Sequence, residues 1–244
     1  MPHTLYLALF TASLLGFRHG FDYDHIAAIT DVVSAQSSRS AGMRLGMIYA
    51  LGHAVTVALL GSAVILFGVH LPAGIDRWAE RLVGVTLVIL GIYVLGSLVL
   101  QPSNTLPKSR YMLLHKGYHR IQSAIRREQY PPEQGVTSVS FDLRSVFFIG
   151  VVHGLGAETP SQLLIFLLAA NLGGAALGLL GLSMFLVGLL LMNALMTASA
   201  CGVFGVSRNR PWMLRTVSVL TAAYSLVMGF VFLTGRSPLL PSLN

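Results

Sequence analysis

The chain has 244 residues, of which 54% are apolar and only 10% charged, and it carries a formal net charge of +7. Soluble domains average about 25% charged residues, so this composition excludes an ordinary water-soluble domain. A single cysteine, Cys201, excludes a disulfide framework and a thiolate metal cluster. The basic residues sit in the links between apolar runs, which suits the cytoplasmic face of a membrane rather than nucleic acid.

A transmembrane helix needs roughly 20 mostly apolar residues to cross a hydrocarbon core of about 30 Å. Six runs satisfy this, at 4–27, 43–69, 79–100, 145–170, 175–205 and 212–234. No Lys or Arg precedes Arg18, so the first run reads as a span and not as a cleaved signal peptide. Lipid-exposed backbone must satisfy its own hydrogen bonds, which makes every run a helix. The expected fold is therefore an all-α integral membrane protein with about six transmembrane helices.

Orientation follows from charge. The links after the first, third and fifth runs hold Arg39, Arg44, Lys108, Arg110, Lys116, Arg120, Arg126, Arg127, Arg144, Arg208, Arg210 and Arg215, against Arg77, Arg81 and Arg236 on the other side. The positive-inside rule places both termini outside the cytoplasm. The long link, 101–144, carries Tyr111, Leu114, Tyr118, Ile121 and Ile125 at helical spacing among basic residues, and reads as an interfacial amphipathic helix. His115 and His119 lie on it at i and i+4, a spacing more often found on a solvated face than at a metal site.

This link separates residues 1–100 from 145–244, three spans each, and the halves echo one another. Gly16-Phe-Arg-His-Gly-Phe-Asp-Tyr-Asp24 aligns without gaps to Gly150-Val-Val-His-Gly-Leu-Gly-Ala-Glu158. An odd number of crossings reverses direction, so the halves are expected to form two inverted three-helix repeats, the plan of many secondary transporters with sites in broken helices near the midplane.

The chemistry lies in polar residues placed where polarity is costly. Arg18, His19, Asp22, Asp24 and His25 cluster in the first run, His53 lies inside the second, and His153 and Glu158 lie inside the fourth. Each ionisable group at bilayer depth costs roughly 2.5–3.5 kcal/mol, so the set needs a compensating role. Imidazole with carboxylate and no thiolate suits a divalent transition metal. On a straight helix Asp22 neighbours both His19 and His25 while Asp24 points away. One ion reaches His19, Asp24 and His25 together only if the helix unwinds, which Gly20 permits, as Gly154, Gly156 and Pro160 do in the fourth run. Arg18 is expected to pair with Asp22 four residues on, Asn193 and Gln162 to hydrogen-bond across helices, and the Gly/Ala stretch at 173–178 to allow close packing.

Arg18-His-Gly-Phe-Asp-Tyr-Asp-His-Ile-Ala-Ala-Ile29 resembles the signature of the nickel/cobalt transporter (NiCoT) family, a His, four residues, then Asp-His. It falls on His19, Asp24 and His25, with the family's inner aspartate on Asp22. Leu51-Gly-His-Ala-Val-Thr-Val57 is similar to the family's next motif and places its histidine on His53. The resemblance implies that these residues recognise Ni²⁺ or Co²⁺ and that no ATPase is needed. This chain departs from the family in having six runs where about eight are usual. His153-Gly-Leu-Gly-Ala-Glu-Thr-Pro160 stands where the family has Gly-Phe-Asp-Thr-Ala-Thr-Glu, and Asn193 and Thr197 replace aspartates of the fifth span.

The function expected is a secondary permease of the cytoplasmic (inner) membrane, taking up Ni²⁺ and/or Co²⁺ as cargo, with no bound cofactor and no enzymatic activity. Its partners are the divalent ion and the lipid bilayer. Its metal residues are His19, Asp24, His25 and His53, with Asp22 beside them and His153 and Glu158 closing the site from the other repeat. An exporter on the same scaffold is the alternative. A membrane acyltransferase using His19 and Asp24 as a general-base pair is more remote.

Overall fold

The computed structural model describes residues 2–67, 75–99, 142–156, 173–237 and 240. Among these there are seven helices and no strand: α1 (Pro2–His19), α2 (Tyr23–Ser34), α3 (Arg39–Phe67), α4 (Ile75–Val99), α5 (Leu143–Gly156), α6 (Ala175–Ser207) and α7 (Pro211–Leu233). Four of them, covering Arg39–Phe67, Arg77–Leu98, Ala175–Ser207 and Pro211–Leu233, are long and apolar enough to cross a membrane. The first apolar run is split into α1 and α2, and the fourth is described only as far as Gly156. Glu158, Gln162, His115, His119 and most of the 101–144 link lie outside the described residues.

Polarity is arranged inside out. Leu59, Leu191, Leu220 and Phe230 are exposed, whereas His25, His53, His153, Asp31 and Asn193 are fully buried. A water-soluble bundle of this size would show the reverse. The exposed apolar flanks match hydrocarbon, and the chain is a multi-pass membrane protein.

Without a hydrophobic force between helices in lipid, tight association depends on small residues that let backbones touch. Three crossings do this. Where α1 meets α6, a Cβ added at Gly16 would stand 1.9 Å from the Phe185 carbonyl oxygen, and one at Gly188 would stand 1.9 Å from that of Ser13. Where α3 meets α5, a Cβ at Gly150 would lie 2.1 Å from the Tyr49 carbonyl oxygen and one at Gly52 would lie 2.2 Å from that of Phe147. Where α4 meets α7, Gly84 and Gly229 face each other's backbone, and one end of the same seam sets Gly91 on Ala222.

These contacts also fix direction. Gly16 meets Phe185 and Gly20 meets Leu189, so α1 and α6 run parallel; Gly150 meets Tyr49 and Gly154 meets His53, so α5 and α3 do too. Gly46 on Thr197 and Gly42 on Cys201 make α3 antiparallel to α6, and the α4–α7 seam is antiparallel as well. The Gly/Ala stretch at 173–178 behaves differently from the expectation at its start. Gly173 and Gly174 have φ of 91° and 120° and nothing near their missing Cβ. They form the positive-φ turn that launches α6, while Gly178 at the other end of the stretch is buried.

Helix α2 is the short central piece, touching α3, α4, α6 and α7. Its C-terminal end is held by a cross-link, since the Arg208 guanidinium donates to the Gln36 carbonyl oxygen. A cation at a helix C-terminus complements both the orphan carbonyls and the macrodipole.

Candidate metal centre

The helix containing the first motif does break at Gly20. Helix α1 ends at His19 and α2 starts at Tyr23, with Asp22 in extended conformation (φ −68°, ψ 157°) as the residue that opens α2. Here glycine is needed for room, because a Cβ at Gly20 would lie 2.9 Å from Met192 Cβ and 3.0 Å from the Leu189 carbonyl oxygen. The break turns His25 back toward His19 across the gap.

Three imidazoles meet there: His19 from α1, His25 from α2 and His53 from α3. They are 2%, 0% and 0% exposed, and one nitrogen from each lies within 4.8 Å of the other two. The His19 and His25 ring centroids are 5.1 Å apart, those of His25 and His53 4.4 Å, and Phe185 on α6 stacks on His19 at 5.7 Å.

Proton counting decides what this cluster wants. Asp22 Oδ2 lies 2.8 Å from His19 Nδ1, and the His19 carbonyl oxygen lies 3.0 Å from His25 Nδ1. Carboxylate and carbonyl oxygens only accept, so both Nδ1 atoms carry hydrogen, and in the neutral rings both Nε2 atoms present a bare lone pair. These lone pairs face His53, whose Nε2 is 3.3 Å from His19 Nε2 and whose Nδ1 is 3.2 Å from His25 Nε2. A neutral His53 has one N–H for two such contacts, so one contact sets lone pair against lone pair. A metal ion placed among the rings, or one further proton, relieves that contact. Counting one nitrogen per ring, since His53 can offer an ion only one of its two, the three donors lie within 4.8 Å of one another, and modest ring rotation brings them to the roughly 3.0–3.4 Å that separates nitrogens held at about 2.1 Å by one metal. Imidazole donors favour first-row transition metals over Mg²⁺ or Ca²⁺.

Of the sequence-selected residues, then, the structure brings together His19, His25 and His53. Asp22 sits directly behind His19 and fixes its tautomer, the arrangement by which carboxylates orient metal-binding imidazoles. Its partner is His19, where the sequence alone pointed to Arg18. Asp24, in the first turn of α2, faces another way, with Oδ2 3.8 Å from His153 Nδ1. His153 is buried in a separate setting, between Tyr49 on α3 and Thr86 on α4. Asn193 is buried, and its amide has no hydrogen-bond partner among the described residues, so the expected bond across helices is not made there. Tyr49, Thr86 and Phe185 escape sequence reasoning, since one Tyr, Thr or Phe in an apolar helix is ordinary. The usable signal was that Tyr49 precedes His53 by one helical turn and shares its face.

Comparison with known proteins finds relatives named for nickel and cobalt transport. The nickel transporter NicT of Mycobacterium tuberculosis is 24% identical over 256 residues, covering 92% of this chain and 66% of that protein. The cobalt transport protein NhlF of Rhodococcus rhodochrous is 28% identical over 174 residues, 66% of this chain and 48% of its own. The urease accessory protein UreH of a Bacillus strain is 24% identical over 151 residues, 62% and 58% respectively. The chain thus spans about half to two thirds of the length of the curated relatives it matches. No family profile and no solved structure matches it.

Proposed function

Because its relatives by sequence are nickel and cobalt transporters, we propose that this chain is a secondary permease carrying Ni²⁺ or Co²⁺ inward across the cytoplasmic membrane, with the ion held by His19, His25 and His53. The observation that carries the reading is the frustrated imidazole triad, three buried rings whose inward nitrogens hold fewer protons than lone pairs. Asp22 holds His19 in the ligating tautomer. Asp24 supplies nearby negative charge, and Glu158 is the corresponding carboxylate of the second half by sequence. Bringing charge to bilayer depth is costly, and it is offset here only while a cation passes.

The scaffold we infer is two inverted three-helix repeats with both termini outside. Support comes from the recurrence of contacts. Gly150 on Tyr49 is the counterpart of Gly16 on Phe185, Gly52 on Phe147 that of Gly188 on Ser13, and Gly91 on Ala222 that of Gly84 on Gly229. Each pair follows from the other by exchanging the halves, at a constant offset along each helix. Such halves can rock against each other around a fixed site to give alternating access. An acyltransferase would need His19 oriented by Asp24, and the carboxylate on His19 is that of Asp22.

The test is uptake of ⁶³Ni²⁺ and ⁵⁷Co²⁺ by proteoliposomes of the full chain. Saturable uptake above protein-free vesicles, lost in His19→Ala and His53→Ala, is expected. Equal counts in loaded and empty vesicles would sink transport, and raised metal tolerance of producing cells with lowered accumulation would reverse the direction.

A further inference from the structure

His153 is the second half's counterpart of His19, yet its surroundings differ. Nδ1 lies 2.9 Å from the Tyr49 hydroxyl and Nε2 lies 2.7 Å from Thr86 Oγ1. Thr86 Oγ1 is also 2.7 Å from the Val83 carbonyl oxygen of its own helix. A carbonyl only accepts, so the single Thr86 proton goes to Val83. His153 Nε2–H then donates to Thr86 Oγ1, and the Tyr49 O–H donates to Nδ1. Every hydrogen has one acceptor, and neither ring nitrogen has a lone pair to spare.

We propose that His153 is a positioning residue and not a ligand of the carried ion: with Tyr49 and Thr86 it clamps α3, α4 and α5 and so sets the ring of His25 and the carboxylate of Asp24. The inference rests on the reading of the triad as the metal site. Three contacts carry it. The Tyr49 ring stands edge-on to the His25 ring, with centroids 6.0 Å apart and planes at 81°. It is equally edge-on to His153, at 5.4 Å and 85°, so one aromatic plate transmits the position of one imidazole to the other. Asp24 Oδ2 approaches His153 Nδ1 to 3.8 Å, beyond hydrogen-bond reach, which keeps the carboxylate beside the clamp without tying it down.

The backbone arrangement explains how Tyr49 reaches. Gly52 and Gly150 bring α3 and α5 into backbone contact, and Thr56 Oγ1 bonds the Val151 carbonyl oxygen at 3.2 Å across the same seam. The triad of the first half is also not repeated among the described residues of the second. Where the first half has His53 against Gly154, the second has Leu189 against Gly20. One of two related half-sites kept its chelating rings, and the other kept a single histidine and turned it into a brace.

Three variants test this in the purified full chain: Tyr49→Phe and Thr86→Val, which remove one hydroxyl each at nearly constant shape, and His153→Gln. Ni²⁺ affinity is measured by calorimetry and the number of imidazoles on nickel by X-ray absorption. Affinity is expected to fall about ten- to a hundredfold in each variant, the range typical of groups that orient ligands. The imidazole count should stay that of the wild type, and the Tyr49→Phe/His153→Gln double variant should be no worse than the weaker-binding single one. Loss of one imidazole from nickel in His153→Gln would make His153 a ligand and overturn the proposal. So would unchanged affinity in Tyr49→Phe, whatever its melting temperature, since a brace of merely structural value moves stability alone. A wild type that binds no Ni²⁺ would remove the metal site itself, and the clamp with it, an outcome distinct from both.

Discussion

His19 and His153 occupy matching places in the two halves of the molecule, each buried and each one turn beyond a glycine lying on a neighbouring backbone. Their chemistry diverges because of what surrounds them. His19 spends one nitrogen on Asp22 and aims the other at His53, whereas His153 spends one on Tyr49 and the other on Thr86. A backbone frame can therefore deliver a histidine to a set position, while its neighbours decide whether a lone pair remains. Two buried histidines in matching places thus differ in whether a neutral ring has a nitrogen left for a ligand.

That comparison can be broken most severely at the frame. Gly16→Leu and Gly150→Leu each force a side chain into space held by a carbonyl oxygen. Overpacking of this kind costs about 1–3 kcal/mol where side chains can adjust, and more where only backbone is in the way. Both variants should leave little monodisperse protein on size-exclusion chromatography, and to a similar degree. A well-folded Gly150→Leu beside a misfolded Gly16→Leu would show that the two crossings are not equivalent. At the site, His53→Ala should abolish saturable Ni²⁺ binding in calorimetry while the protein remains folded, because His53 is the ring both other lone pairs face. Retained binding would move the ion out of the triad. The smallest effect is expected from Asp22→Asn, which keeps an acceptor on His19 Nδ1 but removes its charge. Nickel affinity should drop about tenfold and up to a hundredfold. An unchanged affinity would mean that Asp22 serves α2 alone.

Much of this was legible in the residues. Helix breakage at Gly20 follows from a glycine beside a row of ionisable groups that one straight helix cannot aim together, and α1 and α2 part there. His19, His25 and His53 were selected because histidine at bilayer depth is costly, and they do converge. The partner of Asp22 was less readable. Arg18 at i−4 and His19 at i−3 both suit an intact helix, and the break turns the carboxylate onto His19. The different settings of Asp24 and His153 were beyond sequence reasoning, because they depend on how α3 and α5 cross. The Tyr49 hydroxyl reaches His153 only through the Gly52–Gly150 contact, which joins residues far apart in the chain. Glycines themselves were ambiguous: Gly173 and Gly174 lie in a Gly-rich stretch that reads as a packing seam, yet they make a turn.

The exchanged pairing of helices has a mechanical consequence. Helix α1 of the first half lies along α6 of the second, and α5 of the second lies along α3 of the first, each through backbone-tight glycine contacts. The halves are thus interlocked like clasped hands through contacts outside the link. Two polypeptides cut within 101–144 and made in one cell should find each other through these grips. A membrane protein assembled from such separable parts can also arise by duplication of an ancestral half that once clasped a copy of itself.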